Sequence, residues 1–163
     1  MASNLKNLSD FSHMDIPSGA GLKIGIVVAD FNHEVTDALA EGAYGTLKKY
    51  QVKEEDIIVK RVPGSIELTL GAQLLKENLD LDAVICLGCV IQGETRHFDY
   101  VCDSVTQGIT QLNIKYQVPF VFGVLTTDNQ QQAKDRAGGK YGNKGDECAV
   151  AAIRMAHFSG ELK

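Results

Sequence analysis

No stretch of this chain approaches the roughly 20 consecutive apolar residues that a membrane span requires. Its first residues, Met1-Ala2-Ser3-Asn4-Leu5-Lys6, lack the apolar centre of a secretory signal, so a cytoplasmic protein is expected. Basic charge is not in excess either. Sixteen Lys and Arg against 21 Asp and Glu give a formal net charge of −5, so no global field draws the chain to nucleic acid or to an anionic membrane. A local basic site is compatible with that balance. Cysteine is sparse: Cys86 and Cys89 have C-x-x-C spacing, but no second pair accompanies them, and Cys102 and Cys148 stand alone. Residues three apart in a strand point to opposite faces, which argues against a shared metal or a disulfide, and all four read as structural, reduced thiols. A nucleotide loop is missing as well. The glycine-rich segment at 138–145 does not match G-x-x-x-x-G-K-[ST] and follows a helix, while Gly19-Ala20-Gly21 precedes the first strand instead of following it.

What is present fits one α/β domain. At 163 residues and 44% hydrophobic the chain can bury a sizeable core. Residues 1–21 contain the breakers Pro17, Gly19 and Gly21 without sustained periodicity; they read as an arm that is ordered only if something packs on it, leaving 22–163 as the domain. Strands are expected over 22–29, 56–62, 83–90 and 120–126. Between them Val35, Leu39, Ala43 and Leu47 recur every four residues, and Val101, Val105, Ile109, Leu112 and Tyr116 at spacings of four, four, three and four, both helical. The segment 65–78 alternates like a strand at Ile66, Leu68 and Leu70, but its length favours a helix. A short helix capped by Asp128 or Asn129 is expected to run to about Gly138, then a flexible glycine connection or helix cap, then a last helix ending near Phe158. Apolar strands alternating with helices imply a parallel sheet covered on both faces, with right-handed crossovers.

In such sheets ligands sit beyond the carboxyl ends of the strands. All four expected ends are rich in polar, glycine or aromatic residues and are expected to share one rim. The densest is Gly93-Glu94-Thr95-Arg96-His97, at a strand-to-helix turn. Backbone N–H groups at a helix start lack intrahelical partners and attract anions, so Gly93, Glu94 and Thr95 suit a phosphate. His97 in the same turn is a candidate base, the helix dipole favouring its neutral form; the alternative is a surface histidine capping a turn. Arg136 can pair a phosphate in bidentate fashion, and Lys144 offers a second cation, though either can be a solvated charge. Phe31 and Asn32 offer a flat apolar face and an amide to a planar heterocycle, or a core side chain and a turn. Glu67, just past Pro63-Gly64, can accept hydrogen bonds from a polyol or simply face solvent. The pairing of an anion seat with a base points to an enzyme acting on a phosphorylated small molecule.

Four segments in order, residues 25–32 (GIVVADFN), 62–67 (VPGSIE), 93–100 (GETRHFDY) and 142–149 (GNKGDECA), resemble the lumazine synthase family, and the likeness covers about 21–158. It implies a flavodoxin-like three-layer sandwich with a four-stranded parallel sheet and helices on both faces. It implies a transferase of riboflavin biosynthesis, condensing 5-amino-6-ribitylaminouracil with 3,4-dihydroxy-2-butanone 4-phosphate without metal or organic cofactor. Phe31 would stack on the pyrimidine with Asn32 beside it; Ser65, Ile66 and Glu67 would hold the ribityl chain; Val90 and Ile91 would give backbone contacts to the ring. Gly93, Glu94 and Thr95 would bind phosphate with Arg136, His97 would shuttle protons, and Lys144 would line the pocket. Phe122, Arg136 and Lys144 would reach it from a neighbouring subunit of a pentameric ring. The short glycine link favours a 60-subunit shell of twelve pentamers, and riboflavin synthase is an implied partner. Ile66 stands where a bulkier aromatic is frequent, Gln92 where a basic residue is common and Arg96 where a small one is. Two other readings are open to the residues: a flavodoxin-like electron carrier, disfavoured by the poor phosphate loop after the first strand, and a shell or binding protein without activity.

Overall fold

The strands owe their burial to alternation. In the computed structural model, which describes residues 7–162, Ile24, Ile26 and Val28 of β1 (Ile24–Ala29) face one apolar cluster while Val27 and Ala29 face a second. β3 (Ala83–Ile91) repeats this, with Ala83, Ile85, Leu87 and Cys89 on the first side and Val84 and Cys86 on the second. The first cluster is closed by α1 (His33–Lys49) and a long C-terminal helix, the second by helices that follow the second and third strands. Adding β2 (Ile57–Val62), preceded by a 3₁₀ turn at Glu54–Asp56, and β4 (Phe120–Thr127) gives a four-stranded sheet of order β2-β1-β3-β4, every pairing parallel. The helices are α2 (Leu68–Asn78) and α3 (His97–Tyr116) on one face, and α1 with α5 (Lys144–Glu161) on the other. The result is the expected flavodoxin-like three-layer sandwich. No helix among the described residues is long and apolar enough to cross a membrane.

Two close approaches set the spacing of the layers. A Cβ on Gly145, in the first turn of α5, would overlap the Leu39 carbonyl oxygen of α1, so only glycine lets these helices meet at their observed distance. Gly123 does the same inside the sheet, where a Cβ would crowd the Leu87 side chain at 2.5 Å. In close-packed interiors even one added methyl group is felt.

Several expected boundaries move. β1 starts at Ile24 and not at Leu22, and β3 and β4 each run one residue further, to Ile91 and Thr127. The helix expected from Ser65 begins at Leu68, because residues 65–67 form a turn in which the Leu68 N–H donates to the Ser65 carbonyl at 3.3 Å. The short helix α4 (Gln130–Asp135) is capped as expected, the Asn129 side chain accepting from the Gln132 N–H, but stops before Gly138. Gly138 takes φ +96°, and the residues beyond α4 form an antiparallel hairpin, β5 (Ala137–Gly139) with β6 (Gly142–Asn143). The glycine segment is therefore a hairpin and not a flexible connection. Asn143 caps α5 by accepting from the Gly145 N–H, and α5 runs past Phe158 to Glu161.

Part of the expected arm, residues 1–6, lies outside the described residues. The following segment is held to the domain: the Gly19 N–H donates to the Tyr50 carbonyl at 2.6 Å, and Ser18 Oγ to Gln51 Oε1 at 2.6 Å.

All four cysteines are free, and Cys86 and Cys89 face opposite layers as strand geometry requires. Burial pushes the thiols of Cys86 and Cys148 up to about 12 and that of Cys89 to about 11. Only the thiolate is nucleophilic, so at pH 8 these three are ionised in roughly one molecule per thousand or fewer. Iodoacetamide at pH 8 should therefore label at most one thiol per native chain, that of half-buried Cys102, and all four after denaturation. Mass spectrometry of the labelled native protein checks this; modified Cys86 or Cys148 would mean that the sheet is not shielded as described.

Candidate active site

The strand order changes direction at β1, whose chain leaves to pair β2 on one side while β3 lies on the other. Helices departing to opposite faces leave a crevice at the carboxyl ends of these strands. A cavity of about 360 Å³ lies there, lined by Phe31 and Asn32 after β1, Gly64, Ser65, Ile66 and Glu67 after β2, Cys89, Val90 and Ile91 at the end of β3, then Gly93, Thr95, His97, Phe98 and Val101. The loop after β4 does not line it, so the expected convergence holds for three of the four strand ends.

Each wall has a local cause. Asn32 takes the left-handed region, φ 60°, which asparagine tolerates better than other side chains. Its Nδ2 donates to the Cys89 carbonyl at 2.9 Å and ties the lip after β1 to the end of β3. Backbone bonds from the Asp30 N–H to the Val62 carbonyl (2.8 Å) and from the Phe31 N–H to the Pro63 carbonyl (3.1 Å) fasten the same lip to β2. Phe31 is not in the core: it is 71% exposed at the cavity mouth. Ser65 is buried, and there is room for its hydroxyl because Gly88 carries no side chain; a Cβ there would stand 2.7 Å from Ser65 Oγ. The Glu67 carboxylate folds back over Gly64, 3.1 Å from where a Cβ would be.

On the opposite wall, residues 93–96 wind from β3 into α3. Thr95 Oγ1 accepts from the His97 N–H at 3.4 Å. Among the described residues, no protein acceptor takes the backbone N–H of Gly93, Glu94 or Thr95. These donors and the positive end of a 20-residue helix form a seat for an anion. The His97 side chain lies beside that seat, on the cavity wall, while Glu94 does not line it. Arg96 projects away, pairing Asp99 at 3.7 Å while highly exposed, so it acts as a solvated charge.

Phe122, Arg136 and Lys144 are not brought to this cavity. Phe122 lies half-buried on edge strand β4. Arg136, at the end of α4, forms an ion pair with Glu147, Nη2 to Oε1 at 2.9 Å, and donates through Nη1 to the Tyr141 carbonyl at 3.2 Å. Lys144 Nζ reaches Glu147 Oε2 at 3.2 Å. Glu147 thus bridges both cations, a residue that sequence reasoning passed over. Its signal was its place three residues after Lys144, one helical turn on the same face. Cys89, Phe98 and Val101 were also passed over as lining, although Val101 stands four residues after His97 in α3.

The family model for 6,7-dimethyl-8-ribityllumazine synthase matches residues 21–159. The chain belongs to this family. It is 59% identical to the 6,7-dimethyl-8-ribityllumazine synthase of Parabacteroides distasonis, over 98% of this chain and 99% of that one. It is 53% identical to the protein of that name from Porphyromonas gingivalis (96% and 97% covered) and 48% identical to that of Phocaeicola vulgatus (100% and 97%).

Removing Glu147 leaves two part-buried cations, Arg136 at 19% exposure and Lys144 at 30%, facing one another without their shared carboxylate. With allowance for solvent screening at these exposures, Glu147→Ala should lower the unfolding free energy by about 1–2 kcal/mol, more than Glu147→Gln. Urea denaturation of the two variants measures this; equal, negligible losses would show that the bridge does not organise the cations.

Proposed function

We propose that this chain is a lumazine synthase of riboflavin biosynthesis, condensing 5-amino-6-ribitylaminouracil with 3,4-dihydroxy-2-butanone 4-phosphate to 6,7-dimethyl-8-ribityllumazine with release of phosphate and water. The observation that carries the reading is the juxtaposition, in one cavity, of an exposed aromatic lip, a carboxylate suited to a polyol and a free anion seat flanked by histidine.

In this reading the pyrimidine stacks on Phe31, with Asn32 beside it, and lies along the backbone of Val90 and Ile91. The ribityl chain runs past Ser65 and Ile66 to the Glu67 carboxylate. The phosphate takes the unpaired N–H groups of Gly93, Glu94 and Thr95. That arrangement brings the aryl amine to the ketone carbon near His97. The amine attacks the carbonyl and water leaves as the imine forms; His97 then moves the protons that accompany phosphate departure and ring closure, in which the ribityl-bearing amine attacks the remaining carbonyl and a second water leaves. An aryl amine and an activated ketone condense in water, so holding them together supplies much of the acceleration. No step calls for a metal or an organic cofactor.

The phosphate seat of one chain is incomplete by itself. Phe122, Arg136 and Lys144 complete it from a neighbouring copy, and Glu147 holds the two cations ready. Exposed apolar side chains support such an assembly, notably Leu70 and Leu74 on one face of α2 and Ile114 on α3. The assembly proposed is a pentameric ring, closing into a shell of twelve rings, located in the cytoplasm and able to associate with riboflavin synthase.

The deciding experiment follows lumazine fluorescence and released phosphate with both substrates. Product should exceed the spontaneous background. His97→Ala should slow turnover by about 10²–10⁴-fold without abolishing it, while Arg136→Ala should chiefly raise KM for the phosphorylated ketone. Unchanged rates in both variants, with assembly intact, would overturn the site assignment. Ultracentrifugation tests the assembly: a monomer with full activity would show that no neighbour completes the site.

A further inference from the structure

The segment ahead of β1 has no part in the chemistry above, yet its first described residues lie against the hairpin that joins the two cations, Arg136 before it and Lys144 after it. The Leu8 N–H donates to the Tyr141 carbonyl at 3.0 Å, the same oxygen that accepts from Arg136 Nη1 at 3.2 Å. Ser9 pairs reciprocally with Asn143: its Oγ accepts from the Asn143 N–H at 2.7 Å and donates to the Asn143 carbonyl at 2.9 Å. Asn7 Oδ1 accepts from the Ser9 N–H at 2.9 Å and fixes the turn that aims this hydroxyl. Asn143 caps α5, where Lys144 is the first helical residue, and its Nδ2 donates to the Ala38 carbonyl at 2.8 Å. The Lys144 N–H in turn donates to the Arg136 carbonyl at 2.8 Å.

The hairpin is shaped for this contact. Gly142 has φ +89°, and a Cβ there would crowd Ser9 Oγ at 2.6 Å, so glycine is required both by the backbone and by the approach of the arm. The hairpin has few bonds of its own, since β5 and β6 offer only three and two residues. Isolated two-stranded ribbons of that size are marginal at best. External contacts therefore set its position.

We propose that residues 7–9 are a positioning element for phosphate recognition, acting through Tyr141 and Asn143 to fix the height at which Arg136 and Lys144 are presented. The inference rests on the reading of these cations as phosphate ligands. Ser9 does not touch substrate; it acts through the hairpin.

The test is steady-state kinetics of the full chain, each substrate varied in turn, with inorganic phosphate as a competing anion. Ser9→Ala should raise KM for the phosphorylated ketone and the inhibition constant of phosphate about three- to tenfold, corresponding to one or two lost hydrogen bonds. KM for the ribitylaminouracil should stay unchanged. Ser9→Thr keeps the hydroxyl and should restore both phosphate constants, and Ser18→Ala, which breaks an arm contact away from the hairpin, should leave them as in the parent. A parallel rise of both KM values, no rise in either, or a change of hydrodynamic size in Ser9→Ala would overturn the proposal. If Arg136→Ala leaves the phosphate constants untouched, the phosphate reading falls and this inference with it. If Arg136→Ala raises them and Ser9→Ala does not, only the role of the arm falls.

Discussion

The parallel ladder between β1 and β3 is the constraint on which the rest depends. It pairs Ile24 with Ala83 and continues to Val28 with Leu87, both strands buried on both faces, and β3 runs on to Ile91 past the level where β1 ends at Ala29. From these ends one strand leads towards α1 and the other towards α3, on opposite layers. The gap between them is a consequence of connectivity and needs no special residues to open it. Specific residues decide what the gap becomes. Asn32 spans it with one hydrogen bond donated by its side-chain amide to the Cys89 carbonyl, at the expense of a left-handed backbone that most side chains avoid.

The same economy explains why the anion seat is built from backbone. Three unpaired N–H groups at a helix start provide positive potential without burying a formal charge. The formal charges are kept elsewhere, and there they are neutralised: Glu147 pairs with both Arg136 and Lys144, and the Tyr141 carbonyl accepts from the guanidinium. A lone part-buried guanidinium would carry a desolvation cost with nothing to offset it. Prepaired with a carboxylate, it is fixed in direction before any ligand arrives. The chain thus keeps its unpaired backbone donors and its paired cations apart.

Much of this was legible in the sequence, for reasons that also explain the rest. Periodicity located every long element to within two or three residues, because Val35, Leu39, Ala43 and Leu47 or the continuous apolar run of β3 answer to a single large burial term. Local chemistry also narrowed the cap of α4 to Asp128 or Asn129, of which Asn129 is the one used, and indicated the opposed faces of Cys86 and Cys89. The misreadings fall where tertiary contacts decide. The segment 65–67 alternates like a strand and continues into a helix, but Ser65 is turned inward by the space over Gly88. The hairpin after α4 is bonded to Ser9, 134 residues from Asn143 in sequence, and no local pattern announces such a partner. In the site, residues close in sequence to the rim motifs were found, whereas Glu147 was missed because its importance lies in two partners eleven and three residues away.

The positions that break local rules are also the ones grouped around the crevice. Phe31 is an aromatic in solvent, Asn32 is left-handed, and the anion seat leaves backbone donors unpaired. Each deviation costs free energy in the isolated chain, and in the function proposed above each is relieved by the same event, the arrival of a flat ring carrying a polyol together with a phosphate. Natural sequences tend to place their local inconsistencies at functional sites and to compensate them by packing elsewhere. Here the compensation is the doubly covered sheet, whose strands end at the crevice and hold its walls before the ligand comes. A site preorganised in this way gives most of its advantage to orientation, which is the larger share of what a bimolecular condensation lacks in water.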